Sequence, residues 1–355
     1  MRQRRVSLGR LRASGLPSML SGRRSPRRTW YLALVVFVML LVSACDDAST
    51  RATVHGQAPA TPQGSAAKEL TLDLGDKVTL KLVLIPPGKF VMGSPPTEWD
   101  RQMGEVQHEV TISKPFYMGI THATVDQFAA FVKESGYKTD AEKDGYSYTE
   151  QIKDGTFDFV KADGLSWRNP AFQQKGDHPV VQVSWNDAQA FCGWLSKRSG
   201  KTVALPTEAQ WEYASRAGAK TAFPWGDHPD DGKGWANCAD QALKAKLPKW
   251  NSDYFTWDDG FVYTSPVGSF KPNVFGLYDM IGNAWQWCQD RFGDYDKVAV
   301  TDPTGTNTGN YRVLRGGCWH CSPHDCRVAY RDARNTNYRH DGDGFRVVVA
   351  LPVGE

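Results

Sequence analysis

The chain has 355 residues, 41% hydrophobic and 23% charged, which excludes a disordered chain and one made mostly of membrane spans. Its formal charge of +3 comes from its start: residues 1–28 hold nine arginines and no acid, and 42 basic side chains less those nine leave 33 against 39 acidic ones. No basic patch remains to argue for nucleic acid. With 13 Trp, 13 Tyr, 16 Phe and 33 Gly, the composition predicts a loop-rich fold held by large side chains rather than by long helices.

The arginine-rich start leads into TWYLALVVFVMLLVSAC, Thr29 to Cys45. A positive region, an apolar stretch short for a membrane span, and small residues before a cysteine are the layout of an export signal. LVSAC resembles a bacterial lipobox, which implies cleavage before Cys45 and its lipidation. Residues 1–45 are thus expected to be a lipoprotein signal, placing the mature protein at the periplasmic face or the surface of a bacterium, anchored in the membrane by lipid. Residues 46–69, rich in Ala, Thr, Pro and Gln, read as a flexible tether. Residues 70–355 read as one α+β domain.

That domain opens on LTLDL and VTLKLVLIPPGKF, whose alternation predicts strands. Three capping boxes then predict helices: Thr124 with Gln127, stopping at Gly136; Ser184, with Ala188, Phe191, Cys192 and Leu195 on one apolar face; and Thr207 with Gln210, ending at Gly218. Beyond Gly218 helical periodicity is lost until the strand-like YRVLRGG and GFRVVVA.

Export makes paired thiols the expectation, yet Cys192, Cys238 and Cys288 sit singly and read as buried free thiols. The other three are crowded: Cys318 to Cys326, CWHCSPHDC, holds three cysteines and two histidines in nine residues. Soft thiolates select Cu(I), zinc or iron–sulfur clusters. Cys318 and Cys321 form a CxxC, but a redox pair needs a helix N-terminus to depress one thiol's pKa, and Pro323 and the strand-like CRVAYR argue against one. Zinc or a disulfide within the cluster stays open. His320 and His324 read as hydrogen-bonding loop residues, and His178 and His228, in GDHP turns, as structural ones. No compact two-His-one-carboxylate motif for iron is visible.

FVMGS, HPVVQVSWNDAQAFCGWL, LPTEAQWEYASRAG, FPWGD, SPVGSFKPNVFGLYDMIGNAWQW, LRGG and GFRVV occur in that order across residues 90–348. Together they resemble the sulfatase-modifying-factor family, which includes the formylglycine-generating enzymes. The resemblance implies a C-type-lectin-like α+β fold with little regular secondary structure. The family motif runs Arg-Gly-Gly-Ser, two residues, Cys, four residues, Cys. Here Arg315, Gly316 and Gly317 lead to Cys321 and Cys326 at those offsets. The resemblance implies that these two thiolates hold a linear Cu(I). The cysteine of an extended peptide from a sulfatase-like client joins as third ligand, oxygen binds, a β-hydrogen is abstracted, and hydrolysis of a thioaldehyde leaves formylglycine.

Cys318 stands where the motif has serine. The structural disulfides of the animal enzyme are not expected: Cys192 falls at one half-cystine position, but its partner position is Val347, and Arg331 occupies another. The resemblance also implies calcium. One site would use the Asn237 and Asp259 side chains with the Cys238 and Phe261 carbonyls. A second would use Asp279, the Gly282 and Ala284 carbonyls, and Gln286, where the family usually has glutamate. Hard cations suit such oxygen sets, although Asx turns also favour Asn and Asp in loops. The expectation is a membrane-tethered copper oxidase of peptidyl cysteine. The alternatives are a non-catalytic lectin-like module binding a peptide or glycan, and a relative that matures another substrate.

Overall fold

The computed structural model describes residues 69–153, 156–249 and 252–351. The expected signal, 1–45, and the tether, 46–69, lie outside them but for the tether's last residue. No helix among the described residues is long and apolar enough to cross a membrane.

In chain order the elements are β1 (Glu69–Gly75), β2 (Val78–Ile85), β3 (Gly88–Met92), β4 (His108–Ile112), β5 (Phe116–Gly119), α1 (Val125–Ser135), α2 (Asp140–Asp144), β6 (Tyr146–Lys153), β7 (Thr156–Asp163), α3 (Trp185–Ser199), β8 (Val203–Ala204), α4 (Glu208–Arg216), α5 (Gln241–Lys246), β9 (Trp285–Arg291), β10 (Val300–Thr301), β11 (Tyr311–Arg315), β12 (Asp332–Asn335), β13 (Asp343–Gly344) and β14 (Val348–Ala350). They form a mixed α/β domain. A five-stranded sheet runs β1-β2-β5-β14-β8, a three-stranded one β10-β4-β3 and a four-stranded one β12-β11-β9-β13, with β6-β7 as a separate hairpin. Phe128, Phe131 and Phe191 pack α1 against α3, and Phe345 joins them from the chain before β14.

The predicted caps form. The Ser184 hydroxyl accepts the Asp187 N–H (3.1 Å) while Asp187 accepts the Ser184 N–H (2.9 Å). Ser184→Ala is expected to cost about 1 kcal/mol, read as a lowered denaturant midpoint; an unchanged midpoint would show that the Asp187 carboxylate holds the helix start alone.

Two details depart from the sequence reading. The third expected helix, α4, ends at Arg216 and is capped by Ala217, in the left-handed region at φ 44°, one residue before Gly218. Helical structure also continues beyond it, in a 3-10 turn at Pro229–Gly232 and in α5, whose Asp240 cap serves the Ala242 and Leu243 N–H groups. Both are too short for apolar periodicity to show. The structure adds the α2 cap, Thr139 with Glu142, and the β6-β7 hairpin.

The four-stranded sheet places the cysteine cluster. β11 pairs antiparallel with β9 and β13 pairs parallel with it, Arg315 and Gly344 both standing opposite Gln286. The chain leaving β11 and the chain entering β13 therefore meet at the same end of β9, which brings residues 316–326 beside residues 340–342.

Candidate metal centre

Arg315 anchors the start of the cluster. Its guanidinium, fully buried, pairs with Glu212, sits 3.6 Å from Glu208 and donates to the Tyr330 carbonyl. Glu208 in turn takes a two-pronged bond from Arg331, at 2.7 and 2.8 Å. This buried network ties α4 to the strand that delivers the cysteines. Arg331, at a position where the resemblance has half of a disulfide, joins the same two parts of the chain by charge instead. Cys192 and Val347 are both buried, and all six described cysteines are free and buried.

After Arg315 the chain turns through two glycines. Gly317, at φ 73°, has a backbone that side chains rarely adopt, and a Cβ built on it would stand 2.8 Å from Cys326 Sγ and 3.4 Å from Cys321 Cβ. The bare glycine is the cradle against which Cys321 and Cys326 rest. Gly317→Ala is expected to cost about 1–3 kcal/mol from the left-handed backbone alone and to lower Cu(I) uptake, checked by thermal unfolding and metal analysis. Full copper loading in a folded variant would show that the close approach is immaterial.

The sulfurs form two close contacts. Cys318 Sγ lies 2.8 Å from Cys321 Sγ, and Cys326 Sγ lies 3.4 Å from Cys238 Sγ. Burial pushes the Cys321 thiol up to about 12 and Cys326 and Cys318 well above the ordinary thiol range. Such thiols reach the anionic form that ligates metal only when a cation replaces the proton. Soft donors in a dry cradle fit Cu(I) in type. Cys318 is a third thiol within reach.

The expected calcium ligands divide. In the first set, Asn237 Oδ1 is buried without a hydrogen-bond partner among the described residues, while its Nδ2 donates to the Tyr263 carbonyl (2.8 Å). Asp259 accepts the Cys238 and Phe261 N–H groups (3.1 and 2.8 Å); burial, then the Asp240 charge, raises it to about 8. An orphaned amide oxygen and a carboxylate crowded by another are oxygen donors of the type a hard cation takes. In the second set Asp279 Oδ1 is unpartnered among the described residues, but the other donors are engaged. Gln286 Oε1 accepts from Trp211 Nε1 (2.8 Å) and Arg346 Nε (2.6 Å), and Gln286 Nε2 donates to the Asp279 and Met280 carbonyls. The Ala284 carbonyl is 2.7 Å from His122 Nε2, and that of Gly282 accepts the Ala284 N–H. Arg346 already supplies positive charge there, so this second set does not fit calcium as it stands.

Of the four histidines only His320 departs from its sequence reading as loop polarity. His320 is buried, 2.8 Å from Glu150 Oε1, and that carboxylate also meets His340. His324 does lie toward the surface, against Asp100 and Gln102 (2.8 and 2.9 Å). His178 is held 3.0 Å from Thr264, and His228 caps the 3-10 turn. Glu150, His340 and Asp341 carried no sequence signal, being far from the cluster in the chain.

The domain is a mixed α/β scaffold that presents buried thiols from a glycine-lined turn. Residues 75–351 match the sulfatase-modifying factor enzyme 1-like domain, and the chain belongs to that family. It is 36% identical over 312 residues to the formylglycine-generating enzyme of Streptomyces coelicolor, covering 81% of this chain and 95% of that one. It is also 33% identical over 313 residues to the inactive C-alpha-formylglycine-generating enzyme 2 of Bos taurus, covering 80% and 93%. Among solved structures it resembles PvdO from Pseudomonas aeruginosa, with TM-score 0.58 and 28% identity over 79% of this chain and 98% of that one.

Proposed function

We propose that this sulfatase-modifying-factor relative is a copper-dependent oxidase that converts a cysteine of an extended, sulfatase-like peptide to formylglycine. The observation that carries the reading is the Gly317 cradle, which holds Cys321 and Cys326 in the family's Arg-Gly-Gly spacing. Cu(I) bound there would supply a soft ion of low coordination, open to a substrate thiol and to oxygen. The chain's own part is to exclude water from the thiols, to release their protons on loading, and to hold the loop rigid through Arg315. The first calcium set, Asn237, Cys238, Asp259 and Phe261, would staple the irregular backbone that carries Cys238 against Cys326. Lipidation at Cys45 would tether the enzyme to a membrane.

The test is direct. The full chain, loaded with Cu(I) and supplied with oxygen and a Cys-x-Pro-x-Arg peptide, should yield a peptide aldehyde visible by mass spectrometry. Absence of aldehyde from copper-loaded protein would sink the reading. A second reading, a non-catalytic binding module, is favoured by one observation: Cys321 Sγ faces Cys318 and Cys326 Sγ faces Cys238. It predicts binding of the peptide without turnover.

A further inference from the structure

Glu150, His320, His340 and Asp341 come from three segments of the chain, yet one ligand atom from each lies within 4.8 Å of those of the others. The reason is topological. Residues after β11 and before β13 meet at one end of β9, and a bridge between Tyr148 and His340 lays β6 alongside. Glu150 Oε1 is 2.8 Å from His320 Nε2 and 3.0 Å from His340 Nε2, which is itself 3.0 Å from Asp341 Oδ1. All four side chains are at most 8% exposed. The Thr149 hydroxyl donates to the other Asp341 oxygen (2.6 Å), and the Trp319 indole to the Asp341 carbonyl (3.1 Å). The Thr149 bond is of the outer-shell kind that orients a ligating carboxylate, and the Trp319 bond fixes the backbone that carries it.

An ion-paired cluster is the plain alternative, and it leaves a shortage of protons. Two carboxylate oxygens converge on one nitrogen, His340 Nε2, which brings a single proton. The Gly342 N–H donates to His340 Nδ1 (3.1 Å), so the ring keeps no proton on that side. Among the described residues the two carboxylates face only the His320 and His340 rings as basic partners, and a divalent ion offsets both charges at once.

We propose that Glu150, His320, His340 and Asp341 form a metal site for a divalent first-row ion of the zinc(II) or iron(II) kind. Two imidazoles with two carboxylates suit such an ion, whereas the adjoining thiols suit Cu(I). The two donor sets lie side by side because residue 342 is glycine: a Cβ there would stand 2.8 Å from His320 Nε2 and 3.0 Å from Cys318 Sγ. On loading, the ion takes the His340 Nε2 lone pair, the ring's proton moves to Nδ1, and the Gly342 bond opens. This site does not depend on the oxidase reading.

Zinc binding tests it, with calorimetry on the full chain carrying Cys318→Ser, Cys321→Ser and Cys326→Ser to remove the competing thiols. One equivalent of Zn2+ should bind. Adding His340→Gln should weaken binding at least ~100-fold, and Thr149→Ala about 10-fold, as loss of an outer-shell partner does. No zinc uptake by the folded triple variant, or unchanged affinity after His340→Gln, overturns the proposal. Should the triple variant fail to fold, Co2+ added to the unaltered chain decides. Visible bands from nitrogen and oxygen ligands that survive thiol alkylation support the site; a thiolate charge-transfer spectrum alone refutes it. Neither readout involves aldehyde formation, so this proposal and the oxidase reading fail separately.

Discussion

Serine at position 321 or 326 is expected to lower aldehyde formation at least ~100-fold, since losing even an outer-shell partner of a metal costs about 10–100-fold. Serine at 318 is expected to leave turnover intact or raise it. The placement of the sulfurs is the reason. Cys318 Sγ sits 2.8 Å from Cys321 Sγ, so in the copper-free protein it would compete for the thiol that the proposed Cu(I) requires, either as a ligand or as a disulfide partner. Removing it frees Cys321. Steady-state turnover of the three variants, with thiol titration and mass measurement of each before copper loading, distinguishes the cases. If Cys318→Ser falls as far as Cys321→Ser, the ligand pair is Cys318 with Cys321 and the family spacing does not transfer. If none of the three changes turnover, the oxidation does not occur at this cluster.

Glu212→Gln is expected to destabilise the domain by roughly 3–5 kcal/mol, the range for removing one partner of a buried ion pair. Glu212 is fully buried; it holds Arg315, bonds Arg216 at 2.9 Å and accepts the Gly93 N–H at 2.9 Å. Without its charge the only carboxylate left to Arg315 among the described residues is Glu208, 3.6 Å away and already claimed by Arg331. The desolvated guanidinium is then uncompensated. The loss should appear as a lower denaturant midpoint at unchanged slope, together with weaker copper retention, because Arg315 opens the Gly316-Gly317 turn. Asp76→Asn, which breaks the exposed pair with Lys133, should leave the midpoint where it was. Equal behaviour of the two variants would deny Arg315 its anchoring role.

The legible parts of this protein were those encoded by near neighbours. Capping boxes lie within four residues, so Thr124, Ser184 and Thr207 announced their helices; the ordered family strings and the Arg-Gly-Gly spacing to Cys321 and Cys326 are likewise local. Short elements such as α5 escaped because two turns are too few for periodicity to emerge. What the sequence alone determined was therefore the family, the main helices and the thiols on which the proposed chemistry centres. Only the tertiary structure decided which groups surround them. It set Cys318 against Cys321 and Cys238 against Cys326, gave Arg331 to Glu208, and placed Arg346 on Gln286 among the second set of expected calcium ligands. It also gathered Glu150, His320, His340 and Asp341 from across the chain. Such groupings depend on strand order and on where two glycines let backbones close up, and neither is written in the spacing of the residues concerned.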